Sequence, residues 1–225
     1  MNGGGSGGGE RPIDGERPID EERRGPLVLG LIGPIGSGKS TVATWLAARG
    51  AVVIDSDHLS RMAMSPGTQA TRRIAAEFGP QFLRADGSVD RGTLGRLVFS
   101  DPRLLARLES IVHPAVAVLQ DNAIRSARMA GAPVIVLEAI RLVEAGHAHL
   151  CDEVWLVECR PELQIERLTD RGMPAADARQ RVAAQADSLD LWRSAANRVI
   201  RTDGSLADTE KAVETALHEA LAARR

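Results

Sequence analysis

The sequence of 225 residues contains no tyrosine and only three Phe and three Trp. A core must therefore be built from Val, Leu, Ile and Ala, and the scarcity argues against the aromatic platforms on which unpaired bases stack. Cysteine is nearly absent too. Cys151 and Cys159 match no zinc or redox spacing, so they read as isolated reduced thiols. Lysine is rare: of 28 basic residues only Lys39 and Lys211 are lysines. No block of basic residues forms, and the formal net charge of −2 is carried entirely by residues 1–26. Neither nucleic acid nor a membrane surface is an expected partner of such a chain. No run approaches the ~18 apolar residues of a spanning helix, and the start lacks the apolar core of a signal peptide. A cytoplasmic location is the default expectation.

What is present falls into two parts. Residues 1–26 open with a stretch that is almost all Gly, then repeat Glu-Arg-Pro-Ile-Asp at 10–14 and 16–20. So little apolar surface cannot offset chain entropy, and a disordered leader is expected. From Leu27 onward short β-branched and apolar runs alternate with amphipathic stretches. The runs are Leu27 to Ile32, Ala51 to Ile54, Val134 to Leu137, Val154 to Val157 and the short Val199-Ile200. Strands alternating with helices predict an α/β fold with a parallel sheet, here of five strands flanked by helices. Between the second and third runs lie far more residues than one crossover needs. This stretch, about 58–130, reads as a helical insertion that offers a place for a second substrate. Within it Pro114 is expected to start a new helix, where its missing N–H costs nothing. The Arg-rich segment 160–191 reads as a lid. Residues 27–225 are thus expected to form one domain.

The most informative segment is Gly33-Pro34-Ile35-Gly36-Ser37-Gly38-Lys39-Ser40-Thr41. It satisfies the phosphate-loop pattern G-x-x-x-x-G-K-[ST]. Glycines let successive N–H groups turn inward to phosphate oxygens, and the helix beginning near Lys39 adds its positive end. Lys39 is placed to reach the β- and γ-phosphates, and the Ser40 hydroxyl to ligate Mg²⁺. A phosphate loop alone does not specify a kinase. GTPases carry a base-reading Asn-Lys-x-Asp, which is absent here, and motor ATPases need coupling elements that this length hardly holds. A compact small-molecule kinase using ATP and Mg²⁺ fits best.

The second strand runs into Asp55-Ser56-Asp57, with Arg61 one turn on. Ligands of parallel sheets sit beyond the carboxyl ends of strands. If this strand lies near the first, Asp57 faces the γ-phosphate and can take the proton of an attacking hydroxyl. An Asp at that position equally suits a helix N-cap.

Taken with the loop, these residues resemble the dephospho-CoA kinase family. Further landmarks follow in that family's order. They include Asp86-Gly87-Ser88-Val89-Asp90-Arg91, Leu108-Glu109-Ser110-Ile111-Val112-His113-Pro114 and Asp152-Glu153-Val154-Trp155-Leu156-Val157. Gln164-Ile165-Glu166-Arg167-Leu168 with Arg171, and Arg181 with Gln185, complete the series across about residues 27–204. The resemblance implies a P-loop nucleotide-kinase fold and transfer of the ATP γ-phosphoryl to the 3′-hydroxyl of the dephospho-CoA ribose, the last step of coenzyme A synthesis. It implies catalytic roles for Asp57 and Lys39 and nucleotide contacts from Gly33, Gly36, Ser37, Gly38, Lys39, Ser40, Thr41, Arg167 and Arg171. Asp57, Arg61, Arg91 and His113 are implied on the substrate side, and Ser40 at the metal. ATP and dephospho-CoA are the expected partners of a monomer or weak homo-oligomer.

The chain also departs from the family pattern. Glu138-Ala139-Ile140-Arg141-Leu142-Val143-Glu144 lacks the usual proline and carries an Arg in place of a Leu. Asn197 and Thr202 replace an Asp and an Asn around the last strand, and Pro34 replaces a glycine. The first change bears on acceptor choice, so a P-loop kinase for another nucleoside, nucleotide or small alcohol is the alternative. A nucleotide-binding regulator without transfer activity is a third reading, disfavoured by Lys39, Ser40 and Asp57.

Overall fold

A computed structural model describes residues 25–139, 142–144 and 146–224. The leader up to residue 24, and Ile140 and Arg141, lie outside the described residues. Five strands form one parallel sheet: β1 (Leu27–Ile32), β2 (Ala51–Asp55), β3 (Val134–Glu138), β4 (Glu153–Glu158) and β5 (Arg198–Arg201), in the order β2-β3-β1-β4-β5. Every residue of β1 is buried, as a central strand covered on both faces requires. β2 is not next to β1, because β3 lies between them. The fifth run is longer than its two apolar residues suggested. Arg198 and Arg201 extend it, and Val199 is exposed, because an edge strand buries only part of its surface.

The period of two along β1 sorts its side chains. Leu27, Leu29 and Leu31 join Val134, Val136, Trp155 and Val157 under α1 (Lys39–Ala48) and α9 (Leu206–Ala222). On the other face Val28 joins Ile54, Ile135 and Leu137 beneath α2 (Ser56–Ala63) and α5 (Pro102–Met129). Ile32 packs with Leu142, Leu156 and Trp192, the last from α8 (Leu189–Ala195).

Residues 56–129 are mostly helical, with α2, α3 (Gln69–Phe78), α4 (Arg91–Val98) and α5 separating β2 from β3. They have a core of their own around Met64, Ile74, Phe82, Leu94, Val98 and Ile111. Asp55, Thr68, Asp90 and Asp101 cap these helices by accepting first-turn N–H groups. One expectation is corrected here. Pro114 does not begin a helix but lies inside α5, which starts at Pro102 behind its Asp101 cap. An interior proline costs roughly 3 kcal/mol. Burial of Ile111 and Val112 before it and of Ala127 after it, with Val116 partly buried, in two clusters outweighs that cost. After β4 come α6 (Pro161–Asp170), α7 (Ala175–Ala183) and α8. Among the described residues no helix is long and apolar enough to cross a membrane.

Candidate active site

The phosphate loop leaves β1 at Gly33, where φ is 151° and a Cβ would fall 2.2 Å from the carbonyl oxygen of Val157 in β4. Only a residue without a side chain lets the loop pass so close to that strand. The Pro34 carbonyl accepts the Ser37 N–H at 3.2 Å and closes a tight turn. Pro34 thus serves through the one backbone group it has. α1 starts behind Gly38, whose φ is 92°, and among the described residues no side chain caps that end. The first N–H groups of α1 are therefore left to a ligand.

Three strand ends are level. In the sheet register Glu138 of β3 stands opposite Leu31 of β1 and Asp55 of β2. From this row Glu138 Oε1 meets Lys39 Nζ at 2.9 Å, in a largely buried ion pair. Gly38, next to Lys39, lines a cavity of about 240 Å³. Ala139, next to Glu138, lines a second cavity of about 460 Å³. Each partner of the ion pair thus adjoins in the chain a residue that lines one of the two cavities.

The larger cavity lies between the sheet ends and the inserted helices, and is walled mainly by apolar groups such as Leu105, Leu108, Val116 and Leu142. Asp57, His113 and His147 are among its polar lining residues. The ambiguity of Asp55-Ser56-Asp57 resolves by division of labour. Asp55 Oδ1 accepts the N–H groups of Asp57 at 2.8 Å and His58 at 3.1 Å, so Asp55 is the helix cap. Asp57, on the first turn of α2, accepts no side-chain hydrogen bond among the described residues and faces the cavity with its carboxylate uncommitted. Arg61 approaches Asp55 Oδ2 at 3.6 Å, and neither Arg61 nor Arg91 is part of the cavity wall. The structure thus brings Asp57 and His113 together and leaves Arg61 and Arg91 outside.

The smaller cavity runs along α1, between Thr41 and Trp45 on one side and Arg167, Arg171 and Thr202 on the other. Arg167 is tied inward. Its Nη1 donates to Thr202 Oγ1 at 2.9 Å and to the carbonyls of Ser37 at 3.3 Å and Gly36 at 3.4 Å, while Nη2 donates to the Thr202 carbonyl at 2.7 Å. Thr202 Oγ1 donates in turn to the Ser37 carbonyl at 2.6 Å. The loop carbonyls are thereby held outward, which is what an inward array of N–H groups requires. Beneath this clasp burial pushes the Cys159 thiol above its ordinary range. Glu158, almost fully buried, is paired with Arg193 at 3.0 Å and Arg201 at 2.8 Å, which ties α8 to the ends of β4 and β5.

A family model for dephospho-CoA kinase matches residues 27–208. The chain belongs to the dephospho-CoA kinase family. Dephospho-CoA kinase from Geobacter metallireducens is 45% identical over 188 residues, spanning 83% of this chain and 93% of that protein. The protein of the same name from Frankia casuarinae is 41% identical, over 87% of this chain and 84% of its own length. Among solved structures, one from Thermus thermophilus superposes with a TM-score of 0.74 at 34% identity, covering 87% of this chain and 98% of that one. Dephospho-CoA kinase from Campylobacter jejuni, at 18% identity and a TM-score of 0.58 over 86% of this chain and 96% of its own, shares the fold.

Sequence reasoning within this family missed two groups at the site. Glu138 stood out only as the first residue of the departing segment after the third run, with nothing to link it to Lys39 across 99 residues. Thr202 stood out as a departure, but its bond to the loop lies 165 residues away in the chain.

Proposed function

We propose that the chain phosphorylates the 3′-hydroxyl of the dephospho-CoA ribose at the expense of ATP, using the two cavities as donor and acceptor sites. The single observation that carries this reading is the Lys39–Glu138 pair, which joins the phosphate loop, beside the smaller cavity, to the end of β3, beside the larger one. ATP lies along α1 with its phosphates over the N–H groups of Gly36, Gly38, Lys39 and Ser40, and its base in the cavity beside Trp45 and Arg171. Lys39 leaves Glu138 to meet the β- and γ-phosphates. Dephospho-CoA takes the larger cavity, whose apolar wall accepts an uncharged chain while Asp57 and His113 stand on the polar side. The ribose oxygen attacks the γ-phosphorus, the bond to the β–γ bridging oxygen breaks, and Asp57 takes the hydroxyl proton. ADP and CoA result.

The donors near Lys39 are a hydroxyl, Ser40, and a carboxylate, Glu138. Such hard oxygen ligands fit Mg²⁺ rather than a softer ion. When bound, that ion neutralises charge on the phosphate oxygens.

The test is coupled ADP release by purified protein with ATP, Mg²⁺ and dephospho-CoA, beside a panel of nucleosides and nucleoside monophosphates. Release dependent on dephospho-CoA is expected, and preference for another acceptor sinks the reading. Asp57→Asn should lower kcat by about 10²- to 10⁴-fold while ADP affinity stays within about twofold. Unchanged turnover in that variant removes Asp57 as the base.

A further inference from the structure

Gln185, which follows α7 and its Ala184 cap, has no part in the reaction just described. Yet its side-chain Oε1 accepts the backbone N–H of Ile35 at 2.7 Å, joining the phosphate loop to a residue 150 positions further on. A phosphate cradle works only when its N–H groups point inward and its carbonyls outward. Pro34 has no N–H, the Ile35 N–H is taken by Gln185 and the Ser37 N–H by the Pro34 carbonyl, so the donors left to a ligand are those of Gly36 and of Gly38 onward. Arg167 and Thr202 hold the carbonyls of Gly36 and Ser37. The loop peptides are thus gripped by an acceptor for the Ile35 N–H and by donors for the carbonyls of Gly36 and Ser37.

We propose that Gln185 is a positioning residue for nucleotide binding: it fixes the Ile35 peptide so that the N–H groups after it converge on the phosphates. The inference rests on the reading that this loop binds ATP. The side-chain chemistry suits the task. The partner must accept a hydrogen bond, which excludes Lys and Arg, and a neutral amide does so without setting a negative charge beside an anionic ligand. A purely structural role is the competing account, and burial separates the two. Ile35 is only partly buried, so water can satisfy its N–H once Gln185 is gone. Folding then loses little, whereas the loop peptide loses its fixed orientation.

The experiment compares wild type with Gln185→Leu, which keeps bulk and removes the acceptor. Calorimetry with Mg-ADP should show affinity weakened by about threefold to tenfold, the worth of one hydrogen bond. The KM for ATP should rise in parallel while that for dephospho-CoA stays within about twofold. Amide exchange at Ile35 should accelerate while β1 keeps its protection. Gln185→Glu retains an accepting oxygen and should keep Ile35 protected. If Gln185→Leu does not fold, Gln185→Asn, one methylene too short to reach, is measured the same way. Unchanged ADP affinity and Ile35 exchange overturn the proposal, and so does an equal rise in both KM values. ADP binding does not depend on which acceptor is used, so failure of wild type to form CoA sinks the functional reading and leaves this one standing or falling on its own data.

Discussion

Gly33 shows how much one residue without a side chain can decide. A methyl group there would sit 2.2 Å from a backbone carbonyl of β4, and neither β1 nor β4 can retreat without tearing the sheet. Gly33→Ala should therefore destabilise by about 2–5 kcal/mol, combining strain and overpacking. The check is urea unfolding, where a midpoint equal to wild type would contradict it. The Gly-x-x-x-x-Gly-Lys-Ser spacing makes this glycine legible in the sequence, because few other arrangements of such residues serve a purpose. Asp55 and Asp57 were less legible. Both carboxylates suit both a cap and a base, and the choice turns on which residue opens α2. Helix starts are set within one or two residues by local geometry that a pattern does not resolve.

Among the elements, α5 carries the largest surprise. Its 28 residues run through Pro114, which should have broken them. The helix is held from both ends by apolar side chains committed to two clusters, a tertiary effect absent from local pattern. Strand positions, by contrast, follow from apolar runs that need no distant partner to be recognised. Pro114→Ala should restore the missing hydrogen bond and raise stability by about 1–2 kcal/mol, less the entropy that proline removes from the unfolded chain. For a domain of this size that is a melting point higher by about 2–8 °C. A lower melting point would mean that the helix depends on the shape proline gives it.

At the scale of the whole molecule, the site is assembled by contacts that no local pattern contains. Lys39 with Glu138, Thr202 with Ser37 and Arg167 with the loop each join segments more than ninety residues apart. A single sequence supplies the residue types and the strand order is found only in the fold, so β3, not β2, turned out to be the neighbour of β1. Ligand binding should tighten this assembly. Mg-ADP at about a hundred times its dissociation constant should add about 2.7 kcal/mol, read as a rise in melting temperature, and Lys39→Ala should lose most of that rise. A variant that still responds fully would show that Lys39 does not hold phosphate. The sheet also leaves two open edges of unequal character. β5 is short, and its arginines are locked to Glu153, Glu158 and Glu219, which makes it a poor template for another chain. β2 offers Ala51 to Ile54 without a charge, and Val52 is exposed. When the protein is heated or concentrated, self-association should begin at β2. Val52→Lys should delay the onset of light scattering while changing stability by no more than about 0.5 kcal/mol, so that the molecule's colloidal lifetime is governed by one edge strand and not by its core.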